Sequence, residues 1–409
     1  MNDAYAALRL PEFRLFLSAR VCLTVAIQIQ AVVVGWQVYE ITKDELALGL
    51  IGLAEAIPYI IVSLYAGHVA DVVERKKIIM TTIGLLAICS IGLFSFTLIP
   101  GFFLAWRALP IYAVIFLSGI ARGFLSPALF AFMPQLVPTD RFKNAITWNS
   151  TFWEASAILG PALGGIIYTV FDVTVAYAVV VVLLLTGMVL ALLIKTRPLP
   201  PATKEPDVFD KIRAGLNFVF GNKLILSAIS LDLFAVLFGG AVALLPIFAE
   251  EILHVGAWGL GLLRCAPSVG AVLMAFYIAH NPIKRHMGKI LLWAVAGFGL
   301  SMIAFALSQN FFLSLALLMV SGGFDCVSVI IRSTLLQTLT PENMKGRVSA
   351  VNNIFIGSSN EIGMFESGVA ARLLGVVPSV IFGGCMTLGV VSATAWLSKS
   401  LRRLQNLGT

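Results

Sequence analysis

The chain has 409 residues, 59% of them hydrophobic and 12% charged, with a mean hydropathy of +0.95. That balance excludes a water-soluble globular fold and places the protein in a bilayer. Its formal net charge of +7 comes without a basic stripe interleaved with aromatics, so no nucleic-acid partner is expected.

A bilayer crossing takes about 20 mostly apolar residues to bridge about 30 Å of hydrocarbon. In chain order the apolar runs predict twelve spans: Phe13 to Tyr39, Leu46 to Ala70, Ile78 to Leu98, Leu109 to Val137, Phe142 to Val170, Val173 to Ile194, Leu224 to Ala249, Trp258 to Ala279, Ile290 to Leu307, Phe311 to Leu339, Val348 to Ala370 and Val376 to Leu397. Cations alternate between links. One side holds Arg9, Arg14, the link Arg75, Lys76 and Lys77, the central loop and the tail, whereas the other holds only Lys43, Arg107 and Arg372. Because cations are retained on the cytoplasmic face, both termini are expected inside. Met1 to Arg9 lacks a basic start joined to an apolar core, so no removable signal peptide is expected.

Polar residues within the runs mark candidate sites, since a charge in hydrocarbon costs a few kcal/mol or more. In the first span Arg20, Thr24 and Gln28 share a helix face, with Gln30 and Trp36 elsewhere around it. The second span adds Glu55 and Tyr59, then ends in an inner link containing Gly67, Asp71, Arg75, Lys76 and Lys77. There glycine permits close helix approach, the acid can charge-pair, and the cations can hold acids or lipid phosphates, so the link is a candidate conformational gate. Arg122 stands in the fourth span.

In the fifth span Trp153 and Glu154 precede a small-residue seam of Ser156, Gly160, Pro161, Gly164 and Gly165. A carboxyl at Glu154 can take a proton from one side and release it once hydrated or displaced by substrate, which makes it the first choice for coupling. The second half offers Asp232, Asp325 and Glu361 as further proton carriers, with Arg264 and Arg332 available to hold acids ionised. Asn353 and Asn360 share a polar face of the eleventh span with Glu361, and either ligand contact or helix-to-helix bonding explains them. The substrate-cavity candidates are therefore Arg20, Thr24, Gln28, Gln30, Trp36, Glu55, Tyr59, Trp153, Arg264, Arg332, Asn353 and Asn360.

Gln135 to Ser150 (QLVPTDRFKNAITWNS) aligns without a gap on Gln337 to Asn352 (QTLTPENMKGRVSAVN), which points to an internal duplication of a six-span unit. The expected organisation is an N-terminal bundle over 1–195, a cytoplasmic linker over 196–222 and a C-terminal bundle over 223–409. Pro198, Pro200, Pro201 and Pro206 delay helix formation in the linker, and from Val208 an amphipathic pattern predicts a short helix on the inner membrane surface.

The Gly67, Asp71 and Arg75-Lys76-Lys77 link resembles the signature of the major facilitator superfamily, although Val72 stands where that family usually has arginine. The seam after Ser156 looks like its antiporter motif, with Ser156 in place of the leading glycine. Together with Gln337 to Val351 and Ala266 to Leu273, the full chain is similar to the enterobactin-exporter and macrolide-efflux branch. That resemblance implies an all-α integral membrane protein with twelve transmembrane helices in two pseudo-symmetric six-helix bundles. It further implies alternating access driven by protons, with Arg122 tuning a proton-binding acid. The expected activity is export of a bulky amphipathic small molecule, a siderophore or a drug such as a macrolide, by a monomer in a bacterial inner membrane. A lysophospholipid flippase of the same fold and a transporter-like sensor without flux are the alternatives. No enzyme signature, cofactor or metal site is expected: H-E-x-x-H, G-x-S-x-G and P-loop spacings are missing, four histidines are scattered, and five single cysteines lie in apolar runs.

Overall fold

A computed structural model describes residues 5–99, 101–196, 208–283, 285–341 and 344–404. Twelve long helices follow one another: α1 (Pro11–Thr42), α2 (Glu45–Val72), α3 (Arg75–Leu98), α4 (Leu109–Leu136), α5 (Phe142–Val170), α6 (Val173–Leu193), α7 (Lys223–Gly239), α8 (Gly256–His280), α9 (Met287–Leu307), α10 (Phe311–Leu339), α11 (Lys345–Leu374) and α12 (Val376–Leu397). No strand occurs among the described residues. Among the described residues, ten spans are long and apolar enough to cross a membrane. The two long helices that fall short, α5 and α11, carry polar side chains within their length, Asn144, Asn149, Ser150 and Glu154 on one and Asn352, Ser358, Asn360 and Glu361 on the other.

Local chemistry sets the helix ends. Side chains of Asp172, Asn222 and Asn310 accept from the first free backbone N–H groups of α6, α7 and α10. Pro11 opens α1, and Lys43, at φ 48°, closes it in the left-handed region. The seventh predicted run breaks after Gly239 and resumes through Val242–Leu244 and Leu245–Ile247 into a wide turn over Phe248–Ile252. A short helix over Phe102–Trp106, between α3 and α4, has no counterpart in the apolar pattern.

The chain forms two compact units: Met1–Lys43, Ala54–Glu205 and Gly256–Cys265 in one, and Asp44–Leu53, Pro206–Val255 and Ala266–Thr409 in the other. In the first, α1 lies against α5 and α6, and α3 against α4 and α6. In the second, α9 lies against α10 and α12, around a core that includes Leu231, Leu291 and Leu335. The linker helix, Val208–Gly221, seats buried Val219 on Ile225, Val348 and Val351, with Gly215 against the backbone of Arg347. Burial of such side chains contributes roughly 1.5–3 kcal/mol each relative to exposure in water, so this helix is held on the N-terminal turns of α7 and α11.

Candidate functional site

The basic link after α2 does its work on helix ends. Arg75 donates to Ala70 O at 3.2 Å and Ala131 O at 3.0 Å, at the ends of α2 and α4, while Lys76 donates to Leu192 O at 2.9 Å and to Ile194 O at the end of α6. Cations at carbonyl-rich helix C-termini satisfy orphan acceptors and oppose the negative end of the helix dipole. Lys77 pairs with Glu74 at 3.1 Å. Gly67 and Asp71 lie on α2, but their side chains are outside the described residues.

On α1 the polar residues divide by direction. Arg20 donates to Asn149 Oδ1 of α5 at 2.7 Å; Gln30, buried, accepts from Ser90 of α3 at 2.6 Å. Trp36, also buried, donates to Glu40 at 2.6 Å, and Glu40 accepts in turn from Tyr168 of α5 at 2.5 Å. Gln37 accepts from Tyr177 of α6 at 2.6 Å. Each bond replaces one to water that hydrocarbon cannot supply, so Gln30 and Trp36 are occupied inside the first unit. Thr24 and Gln28 are half-buried. Arg20 also borders a narrow crevice with Phe16, Leu23, Lys76, Ile79 and Phe132.

The small-residue seam of α5 has two faces. A methyl group on Gly160 would meet the Cβ of Gln28 at 2.5 Å, and one on Gly164 would meet Ile29 Cα at 3.2 Å, so these glycines admit α1. Gly165 instead faces α8, where a methyl would meet Gly261 Cα at 3.0 Å. Ser156 turns its hydroxyl to Phe152 O at 2.7 Å. Upstream, Glu154 is half-buried with no hydrogen bond or ion pair among the described residues, and Trp153 is 45% exposed.

Two ion pairs occupy α2 to α4 and α7 to α10. Glu55 pairs with Arg122 in the first unit, and Asp232 with Arg332 in the second. Asp232, Arg332 and Ser328 are all buried, and Ser328 lies 3.4 Å from Asp232 Oδ1. Arg264 donates to Ala31 O of α1 at 2.5 Å. Asp325 has no hydrogen bond or ion pair among the described residues. On α11, Asn360 is exposed and donates to Ile356 O at 3.0 Å, Glu361 is half-buried, and the side chain of Asn353 is outside the described residues. Tyr59 itself is half-buried on α2. Asn149, Ser90, Glu40, Tyr168 and Ser328 escaped the sequence reading: each bonds a partner on another helix, which leaves no local periodicity, and only the Trp36–Glu40 spacing of four carried a signal.

A family model described as transmembrane secretion effector matches residues 2–407. The chain belongs to this family of the major facilitator superfamily. Among curated relatives, it is 26% identical over 387 residues to the enterobactin exporter EntS of Salmonella typhi, covering 93% of this chain and 91% of that protein. The corresponding exporter of Escherichia coli O1:K1 / APEC is 25% identical over the same shares. Solved structures share the family's fold: a POT family transporter in complex with 5-aminolevulinic acid has a TM-score of 0.74 at 12% identity, covering 95% of this chain and 96% of that one. A D-xylose-proton symporter has a TM-score of 0.72 at 15% identity, covering 94% and 95%. The fold is therefore that of the major facilitators, and the chain is a multi-pass membrane transporter rather than an enzyme.

Proposed function

We propose that this transporter exports a siderophore-type small molecule, bulky and amphipathic, across a bacterial inner membrane in exchange for protons. The observation that carries the substrate class is likeness to enterobactin exporters over 93% of the chain. Proton coupling draws support from Glu154: it stands half-buried with no ion pair among the described residues, whereas Glu55 and Asp232 are each matched by an arginine. A carboxyl free of a fixed partner can change protonation without breaking the bundle. One charge crossing about 100 mV releases about 2.3 kcal/mol, and about 1.4 kcal/mol is tenfold in concentration, so one proton per cycle sustains a gradient of several tens-fold. No cofactor beyond the proton gradient is required, and a monomer suffices.

The test is transport by the purified protein in liposomes offered iron-free enterobactin, a macrolide and a labelled lysophospholipid. Saturable export of the siderophore supports the proposal. Movement of the lysophospholipid alone makes the protein a flippase and refutes it, and macrolide movement alone restricts it to drug efflux. Glu154→Gln is expected to retain substrate exchange while losing gradient-driven export.

A further inference from the structure

The second unit contains a helix break that α1 lacks. α1 runs uninterrupted from Pro11 to Thr42, whereas α7, which opens the last six long helices, stops at Gly239. Among the described residues, no backbone N–H or side chain donates to the carbonyls of Leu237, Phe238 or Gly239. Such orphan carbonyls carry the negative end of the helix dipole. Two glycines give them room: a methyl on Gly363 of α11 would meet Leu237 O at 2.9 Å, and one on Gly383 of α12 would collide with Phe238 O.

A small cavity sits at the break, lined by Phe238, Gly239, Gly240 and Ala241 together with Ser367 of α11 and Ser379 of α12. It is the size of a single ion or water molecule. Both serines are buried, at 6% and 5% exposure. Ser367 donates its hydroxyl proton to Gly240 O at 2.8 Å, and Ser379 donates its own to Val376 O at 2.7 Å. Each hydroxyl oxygen therefore meets an occupant of the cavity with its lone pairs. The surrounding segments, 224–253, 348–371 and Val376–Leu397, hold Asp232, Glu250, Glu251, Glu361 and Glu366 but no lysine or arginine. Asp232 is matched by Arg332 of α10.

We propose that the break in α7 is a binding site for a monovalent cation, Na+, held by the backbone carbonyls at the end of α7 and by the hydroxyl oxygens of Ser367 and Ser379. Neutral oxygen ligands suit a hard ion of single charge, whereas a divalent ion calls for carboxylates. The narrowness of the cavity selects Na+ over the larger K+. Interrupted helices whose carbonyl ends face a cavity hold ions in this way in secondary transporters. The ion ties α7 to α11 and α12, all within the second unit, so its release loosens the chain beyond Gly240. This inference goes beyond the proton-coupled reading and stands independently of the exported substrate.

The test is binding of radioactive Na+ to the purified full-length protein in detergent micelles, with choline chloride holding the ionic strength constant. Saturable binding is expected, displaced by unlabelled NaCl and not by choline chloride. Affinity is expected to fall about tenfold or more in Ser367→Ala and in Ser379→Ala, and to stay within about twofold in Ser301→Ala, a buried serine of α9 that bonds Gly297 O of its own helix. Exchange of choline chloride for NaCl is also expected to raise the thermal unfolding midpoint of the parent by about 2 °C or more, and that of either site variant by less than about 0.5 °C. Because each protein is compared with itself, a general loss of stability does not mimic this result. A parent that binds no Na+ saturably overturns the proposal and leaves the cavity to ordered water, and parent-like affinity in both site variants overturns it equally. Siderophore export in liposomes decides the broader reading separately.

Discussion

At the scale of single residues, an ionised group here is defined by whether a partner meets it. Asp232 and Arg332 are both buried and paired, so removal of one strands the other in a medium that cannot solvate it. Asp232→Asn is expected to destabilise the protein by about 3–5 kcal/mol, and the double change with Arg332→Gln to recover most of that loss. Reversible unfolding in mixed micelles measures both; equal losses in the single and double variants would contradict the assignment. The charges themselves were legible in the sequence, because an acid or arginine within an apolar run stands out. Their pairing was not: Arg332 has Asp325 on its own helix, yet its partner comes from α7, and Arg20 finds Asn149 on α5. Contacts between helices distant in sequence leave no local periodicity to read.

Elements are positioned by small residues and by caps. Gly160 lies against Gln28, so Gly160→Ala forces α5 away from α1 and is expected to cost about 1–3 kcal/mol. A methyl group added at Gly84 or Gly92 of α3 would meet no atom of another element within 4 Å among the described residues, and alanine there is expected to stabilise by about 0.5–1 kcal/mol through helix propensity. Thermal denaturation of the three variants separates the predictions, and a neutral Gly160→Ala would show that the seam is loose. The seam was visible in the sequence as GPALGG, but its division between α1 and α8 required helix phase and neighbours together. The break after Gly239 was hidden for a different reason, since Val242 to Phe248 remain apolar through the interruption. In the link after α2, Arg75 and Lys76 reach carbonyls of α2, α4 and α6 while Lys77 meets the acid Glu74, a division among partners that the run of three cations does not itself encode.

For the whole molecule, hydropathy and the alternation of cations carried the reading furthest. Twelve long helices appear where twelve apolar runs were expected, although α5 and α11 exchange apolar length for polar side chains. The cation pattern predicts that both termini face the cytoplasm. A fluorescent protein fused after Thr409 is therefore expected to glow, and a periplasmic phosphatase fused at the same place to stay inactive; the opposite pair of signals would invert the topology. Substrate chemistry lay beyond composition, because the polar groups on α1 are largely taken by partners within the bundle. The central claim, exchange of protons for an exported siderophore, is tested most directly by a pH-sensitive dye sealed inside liposomes that contain the protein. Addition of iron-free enterobactin on the side from which it is transported should drive protons in the opposite direction, at a rate that follows siderophore flux and disappears in Glu154→Gln. Siderophore flux with no accompanying proton movement would contradict it.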